Sequence, residues 1–456
     1  MIFTMKNVLV LALFRLELLI FRVVYGTING IDPPRRDQFR KDAVPHGRPW
    51  YMNMQYTFSD KIAGLKPSAI REILKAPKDA DTITFAAGNP APESFPVDDL
   101  ARFAADIFAT GATEALQYGV TDGYEPLRAA IAKRQKDVFY IGKSVDAGDA
   151  FTDTTIVVSG GQQGIELACK VFCNEGDTVI CENPTFIGGL NSFRSCGMKT
   201  VGVPLEDDGI DTEALEATIK ATPTAKLIYL IPTFQNPAGL TTSYEKRVKI
   251  YEIARKYDMM ILEDNPYGEL RFSGEEIPTI KSMDTDGRVI YCSSFSKILS
   301  AGMRVGFVVA PEEVAAKMVV AKQSEDVHTN LFFQMLCYKF MTECDVDAHI
   351  AKIRAIYRRK CHLMLDCLDR ELPAPIKFTR PEGGLFIWVT LPDEVDASAF
   401  LKAAIAEKLM IVPGATFNCD PAAPSQSFRL NYSTPSDEQI IEGVARLGRV
   451  ARQFVK

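Results

Sequence analysis

Four short polar segments, each just after an apolar run, carry the side chains best suited to chemistry. They are Ser294-Phe295-Ser296-Lys297 with Arg304 close behind, Asp264-Asn265-Pro266-Tyr267-Gly268, Thr233-Phe234-Gln235-Asn236-Pro237-Ala238-Gly239, and Gly160-Gly161-Gln162-Gln163-Gly164. Each alone is a plausible loop: a lone lysine is usually a solvated charge, an aspartate after a strand is often a helix cap, and tight turns need glycine. Taken together they hold a more specific inventory. A lysine amine forms a Schiff base with an aldehyde. An aspartate keeps a pyridine nitrogen protonated and strengthens the ring as an electron sink. A tyrosine hydroxyl and an asparagine amide bond a phenolate oxygen, while serines, an arginine and the first N–H groups of a helix hold a phosphate. That set describes pyridoxal 5′-phosphate. The glycine segment lacks the G-x-G-x-x-G spacing, so it does not read as a dinucleotide site.

The elements that must position these residues follow from periodicity. Candidate strands are Thr155–Ser159, Thr178–Glu182, Lys226–Ile231, Met259–Glu263 and Val289–Ser293, separated by segments of helical spacing such as Ile165-Ala168-Cys169-Phe172. Alternating strands and helices predict a mostly parallel sheet covered on both faces, with ligands bound beyond the carboxyl ends of its strands. Val346–Leu372 reads as one long helix. After it, strands Phe386–Leu391 and Phe428–Tyr432 alternate with helices Ala397–Glu407 and Asp437–Phe454, a second, smaller α+β domain.

The 456 residues suffice for two domains, and 47% hydrophobic with 24% charged content is ordinary for a globular chain. The net charge of −6 gives no general reason to bind nucleic acid or anionic lipid. Residues 1–51 hold eight Lys/Arg against four Asp/Glu, so the remainder carries −10. Four histidines make His-centred metal or triad chemistry a poor starting point. Ten scattered cysteines, the closest pair Cys169 and Cys173, read as free thiols of a reducing compartment, with no metal site expected. Val8 to Tyr25 is apolar but interrupted by Arg15, Glu17 and Arg22, so no uncharged run is long enough to span a bilayer. Residues 1–51 read first as an upstream stretch ahead of a natural start at Met52 or Met54, with an amphipathic anchor or a cleaved signal as the alternatives.

The ordered motifs resemble those of the class I/II aminotransferases of the fold-type I pyridoxal-phosphate superfamily, most of all the kynurenine/2-aminoadipate, or multisubstrate, branch. The resemblance runs from about Phe58 to Val455. It rests on Ser-Gly-Gly-Gln-Gln-Gly at Ser159, Asn-Pro-Ala-Gly at Asn236, Glu-Asp-Asn-Pro-Tyr at Glu263, Ser-Phe-Ser-Lys at Ser294, Arg304, and Phe-Arg-Leu-Asn-Tyr at Phe428. It implies a large domain with a mostly parallel seven-stranded sheet between helices plus a smaller α+β domain. The boundaries expected are 1–51 as an atypical extension, 52–95 as a segment packing with the small domain, 96–340 as the cofactor-binding domain and 341–456 as the small domain. By position, Lys297 matches the Schiff-base lysine, Asp264 the pyridinium partner, and Asn236 and Tyr267 the partners of the ring oxygen. Gly161, Gln162, Ser294, Ser296 and Arg304 match the phosphate cup. Phe186 matches the aromatic that stacks on the ring, where relatives carry tyrosine. Tyr118 matches a tyrosine that reaches the partner subunit's phosphate, which implies a homodimer with shared active sites. Arg429 matches the clamp for the substrate α-carboxylate, and Gly88 lies in a segment expected to wall the substrate pocket. Gly161 stands where some relatives have serine. Asn183-Pro184 and Asn236-Pro237 are expected to be cis.

The function implied is transfer of an amino group from an L-amino acid to a 2-oxo acid by ping-pong chemistry, in the cytoplasm, with no nucleic-acid or membrane partner. A β-lyase or decarboxylase on the same fold shares the cofactor set and stays open at this level. A transcriptional regulator with this fold would need a DNA-binding domain before Phe58, where an apolar run stands instead. Other residues read more plainly. Gly383-Gly384 is expected to turn into a strand, and His328, His349 and His362 to be packing or surface residues on helices. Glu182 reads as structural, and Arg358-Arg359-Lys360 as a solvated helix face.

Overall fold

A computed structural model describes residues 56–65 and 81–455, so the expectations for residues 1–51 lie outside the described residues. The chain divides between Phe58 and Ser59, and everything below concerns the unit that begins at Ser59. In chain order its strands are β1 (Ile83–Thr84), β2 (Asp153–Val158), β3 (Thr178–Asn183), β4 (Lys199–Glu206), β5 (Gly209–Ile210), β6 (Ala225–Leu230), β7 (Met260–Asp264), β8 (Val289–Ser294), β9 (Gly306–Pro311), β10 (Lys377–Phe378), β11 (Phe386–Thr390), β12 (Leu409–Met410), β13 (Val412–Pro413) and β14 (Ser427–Asn431). The helices of nine residues or more are α1 (Val97–Thr110), α2 (Glu125–Phe139), α3 (Gly161–Phe172), α4 (Ile187–Ser195), α5 (Thr212–Ala221), α6 (Tyr244–Lys256), α7 (Glu312–Gln323), α8 (Leu331–Glu343), α9 (Val346–Glu371), α10 (Ala397–Ala406) and α11 (Asp437–Phe454).

The large sheet runs β2-β9-β8-β7-β6-β3-β4-β5. It is the expected seven full strands plus β5, a two-residue antiparallel edge on β4. The β4–β3, β3–β6, β6–β7 and β7–β8 pairs are parallel, and β9 runs against both β2 and β8. Alternation along a strand sends successive side chains to opposite faces. In β6, Leu227 and Tyr229 join the core built with Ile165 and Leu167 of α3 and Leu190 and Phe193 of α4. Ile228 and Leu230 join the opposite core, with Leu215 and Ile219 of α5 and Ile250 and Ile253 of α6. Burial on both faces is why β6, β7 and β8 read as continuous apolar runs.

The smaller sheet, β10-β11-β14-β13, is antiparallel throughout. β1 pairs in parallel with β12. Phe428 and Leu430 of β14 enter the core, Phe428 stacking on Phe400 of α10 at 5.6 Å, so Arg429 between them faces the other way. Asp211, Ser243, Asn330, Asp345, Asp396 and Ser436 cap α5, α6, α8, α9, α10 and α11 through their side chains.

Both Asn183–Pro184 and Asn236–Pro237 are cis. Gly384, at a φ of 72°, makes the turn into β11. Two expectations need correction. Lys360 is buried, not solvated: on the inner face of α9 it donates to the Ser433 carbonyl at 3.0 Å and pairs with Glu93 at 2.7 Å. Helical spacing carries it inward while its exposed neighbours Arg358 and Arg359 point out. His328 lies in the turn between α7 and α8, not on a helix.

Candidate active site

Beyond the carboxyl ends of β6, β7 and β8, a cavity of about 500 Å³ collects twelve of the thirteen predicted site residues. Larger clefts of 690 and 870 Å³ hold none of them.

Asp264 closes β7 with its side chain buried, and it accepts a 2.8 Å hydrogen bond from the Tyr229 hydroxyl. Burial pushes its carboxyl up to about 7, against the Tyr229 bond and the charge of Lys297. A buried carboxylate held this way calls for a cation. Lys297, half-buried in the turn after β8, donates to the Gly88 carbonyl at 2.6 Å. Burial, then the guanidiniums of Arg429 and Arg304, push it down to about 8, with Asp264 opposing. The lysine is therefore near the point where it can act as a neutral base at physiological pH.

The predicted phosphate residues meet on one side. Ser294, the last residue of β8, donates from its hydroxyl to Ser296 Oγ at 2.6 Å and accepts from the Ser296 backbone N–H at 2.9 Å. Gly161 and Gln162 open α3, whose N-cap Gly160 offers no side chain. The first N–H groups of a helix have no partner in a preceding turn, so this end is left for an anion. Gly160 sits at a φ of 76°, and a Cβ there would meet Arg304 Nη2 at 2.3 Å. Arg304 in turn donates to the Ser159 carbonyl at 3.2 Å. The Gln162 side-chain amide nitrogen is engaged elsewhere, donating to the Gly188 carbonyl at 2.8 Å and Ser192 Oγ at 2.6 Å, which leaves its backbone N–H to the cup. Phe186 precedes α4, and a Cβ on Gly188 would come within 2.3 Å of its ring, so the aromatic depends on that glycine.

Arg429 is buried against the Phe386 ring, with its guanidinium carbon 4.1 Å from the ring centre. It donates to Asn236 Oδ1 and to the Ala86 carbonyl, each at 2.9 Å, while its buried Nε meets no hydrogen-bond partner. Burial lowers it to about 10. Tyr267 meets the edge of Phe386 at 5.9 Å, and burial raises its phenol.

Tyr118 is the one predicted site residue set apart. It is 80% exposed, lies edge-on to His328 at 5.8 Å and lines a separate cleft with Phe108 and Leu116. Two contributors escaped the sequence reading. Tyr229 looks like one more apolar residue of β6, and only the register of β6 against β7 sets its hydroxyl on Asp264. Gln235 donates to Glu182 Oε2 at 3.1 Å and the Pro184 carbonyl at 2.8 Å, and accepts from Ala238 N–H at 2.9 Å, tying the two Asn-Pro turns together. Its place beside Asn236 was the available signal.

Lysine, buried aspartate, paired serines, arginine and an uncapped glycine-led helix fit the aldehyde, ring nitrogen and phosphate of pyridoxal phosphate. Residues 80–447 match the family described as aminotransferase class I and II. The chain belongs to that family. It is 39% identical over 403 residues to aromatic-amino-acid aminotransferase 1 of Thermococcus litoralis, covering 88% of this chain and 95% of that protein. The structure of the multiple substrate aminotransferase from Thermococcus profundus superposes with a TM-score of 0.81 at 38% identity, over 87% of this chain and 97% of that one. The α-aminoadipate aminotransferase of Thermus thermophilus, solved with N-(5′-phosphopyridoxyl)-L-leucine, gives 0.78 at 36% identity, over 87% and 97%. This aminotransferase is thus an enzyme of the transaminase class with the fold-type I architecture. Among the described residues no helix is long and apolar enough to cross a membrane, and no group of three His, Cys, Asp or Glu is placed to hold a metal.

Proposed function

We propose that this aminotransferase holds pyridoxal phosphate in the 500 Å³ cavity and passes an amino group from an L-amino acid to a 2-oxo acid in two half-reactions. The observation that carries the residue assignment is the meeting of Lys297, Asp264, Asn236, Tyr267, Arg304 and Arg429 in one cavity from four separate segments. Bound there, pyridoxal phosphate supplies an aldehyde that condenses with amines and a ring that takes up the electron pair left at the substrate Cα.

The chain's own residues do the rest. Asp264 pairs with the ring nitrogen, which satisfies the buried carboxylate and keeps that nitrogen protonated. Tyr229 fixes the carboxylate from behind. Asn236 and Tyr267 bond the ring oxygen, and Phe186 covers one ring face. Ser294, Ser296, Arg304 and the N–H groups of Gly161 and Gln162 hold the phosphate. Lys297 anchors the aldehyde and, once released, moves a proton between the substrate Cα and the cofactor C4′. Arg429 Nη1 and Nη2 each spend one N–H, on Asn236 and Ala86, and keep a second for the substrate carboxylate, a planar fork that matches that group better than a lysine would. Gly88 walls the same pocket.

We read residues 96–340 as the cofactor-binding domain, 341–456 as the small domain and 52–95 as a segment packing with the latter. Phe108, Leu116, Tyr118 and Val120 are at least half exposed, and this apolar strip supports a homodimer in which Tyr118 reaches the partner's site. Ten free cysteines support a reducing compartment, the cytoplasm. The apolar lining residues Ile165, Ile187 and Ile231, together with the activities that the relatives' names carry, support a broad donor range.

The test is spectroscopic and kinetic. The purified protein is expected to be yellow, to lose that band on borohydride reduction, and to consume amino donors beyond one equivalent per site only when a 2-oxo acid such as 2-oxoglutarate is present. Lys297→Ala should lose both the covalent band and turnover. Full activity in that variant would overturn the assignment, and repeated turnover of the donor without an acceptor would replace transamination with a lyase.

A further inference from the structure

The turn that precedes α3 is held from behind by an ion pair between a buried lysine and a half-buried aspartate. Lys322, at the end of α7, is fully buried, and its ammonium meets three acceptors: Asp326 Oδ1 at 2.6 Å, Gln163 Oε1 at 3.1 Å and Thr329 Oγ1 at 3.1 Å. Three N–H donors and three acceptors leave nothing unpaired. Every one of these acceptors belongs to a residue that also touches Ser159. Gln163 Oε1 accepts from the Ser159 backbone N–H at 2.8 Å. Ser159 Oγ donates to Asp326 Oδ2 at 2.6 Å and lies 3.1 Å from Thr329 Oγ1. The remaining polar group of Ser159, its carbonyl, receives Arg304.

The N–H, hydroxyl and carbonyl of Ser159 are therefore all engaged, and the next residues are Gly160 and Gly161, whose lack of side chains leaves the turn no packing of its own. The segment that supplies Asp326 and Thr329 is itself over-determined. Val327, a β-branched residue, stands at a φ of 64°, where such residues are rare. Backbone strain of that kind persists only where surrounding contacts enforce it. His328 N–H donates to the Asp326 carbonyl at 2.6 Å, and Gln334 donates to the Thr329 carbonyl at 2.6 Å. Glu325 reinforces the same junction by accepting from Gln163 Nε2 at 3.0 Å and pairing with Lys170 at 2.6 Å.

We propose that Lys322 and Asp326 are positioning residues for the anion-binding turn, setting how tightly the phosphate group of the cofactor is held without touching it. The cavity takes its phosphate on backbone N–H groups whose direction is set by the Ser159-Gly160 peptide, and on Arg304, which leans on the Ser159 carbonyl. Removing either ion deletes the charged contact of this junction, 2.6 Å between Lys322 and Asp326, and the turn shifts as the remaining partners rearrange. The effect should reach the phosphate and leave the rest of the ring site alone.

This inference rests on the assignment of the cavity to pyridoxal phosphate, which the borohydride-sensitive band of the wild-type holoenzyme checks independently. The experiment compares two ligands in wild type, Lys322→Met and Asp326→Asn. After removal of the bound cofactor, each protein is titrated with pyridoxal 5′-phosphate and with phosphate-free pyridoxal, following the absorbance of the lysine adduct. Both variants are expected to bind pyridoxal phosphate about tenfold more weakly, the loss that weakening one charged hydrogen bond produces, while their affinity for pyridoxal stays at the wild-type value. A merely structural role would weaken both ligands together, and that result, like unchanged binding of both, overturns the proposal. If Lys322→Met does not fold, Asp326→Asn decides alone, because it keeps the volume and a hydrogen bond to Ser159.

Discussion

Asp264 shows how much of this site could be seen in single residues and what could not. Its position after an apolar run, with Asn265, Pro266 and Tyr267 behind it, marks it in the sequence as a ring-nitrogen partner. Its electrostatic state depends on burial and on Tyr229, which is 35 residues away and chemically silent in a one-dimensional reading. The structure gives this carboxyl, and the buried Glu182 near it, a value of about 7. Both are raised above their unfolded values, so each group stabilises the folded chain most under acid conditions, and that stability is lost as pH rises from about 4 through 7. The cofactor-free protein should therefore melt at lower temperature at pH 7.5 than at pH 5.5. Asp264→Asn, which keeps a partner for Tyr229 and removes the charge, should raise the melting temperature of the cofactor-free protein at pH 7.5 by a few degrees. Pyridoxal phosphate should reverse the order, since only the wild-type carboxylate gains a cation from it. Calorimetry at the two pH values with and without the cofactor reads both effects, and a cofactor-free variant less stable than wild type would refute the burial argument. The same substitution should cut turnover by at least about a hundredfold if the aspartate sustains the electron sink.

At the scale of elements, the sheet centre was legible because burial on both faces writes continuous apolar runs. The two full strands absent from the sequence reading fail that rule differently. β4 buries only Val203 and contains Pro204, so it carries neither an apolar run nor a clean alternation. β9 is wholly buried but follows at once on Arg304, so a short run of Phe, Val and Ala could belong to either a strand or a helix. What the runs could not convey is how the loops between them are locked to each other. Gln235 does this for the two Asn-Pro turns, bridging Glu182, Pro184 and Ala238 from inside the protein. Gln235→Leu removes those partners at similar volume and should cost about 1–3 kcal/mol, the penalty for stranding buried polar groups. Because Asn236 is the next residue and receives Arg429, kcat/KM for the amino donor should fall along with stability. Urea unfolding and steady-state kinetics on one preparation test the pair of effects. Lost stability with unchanged kinetics would show that the turn holds Asn236 in place without Gln235.

The whole molecule adds a claim that no single chain can complete. Twelve predicted residues share one cavity, while Tyr118 stands on the surface beside Phe108, Leu116 and Val120. Among the described residues the Tyr118 ring meets the edge of His328 and lies largely in the open. A second copy would bury the strip and deliver the hydroxyl to the other site, as the symmetry of a closed dimer permits. His328 belongs to the turn that carries Asp326, so in the proposed dimer one segment would both brace its own subunit's phosphate turn and steady the tyrosine that reaches the other. Mixing variants separates this arrangement from one in which each subunit is self-sufficient. Lys297→Ala lacks the base, and Tyr118→Ala is expected to hold the cofactor weakly. When the two are mixed and allowed to exchange subunits at limiting pyridoxal phosphate, half of the dimers carry both chains. In each such dimer one site combines an intact Lys297 with an intact Tyr118 from its neighbour, and the opposite site lacks both. Random exchange should therefore restore about a quarter of wild-type activity, well above the mean of the separate variants. If Tyr118 serves its own chain's cavity, no hybrid site is whole and the mixture stays at that mean. A protein that runs as a fully active monomer in light scattering would contradict the shared site by a second route.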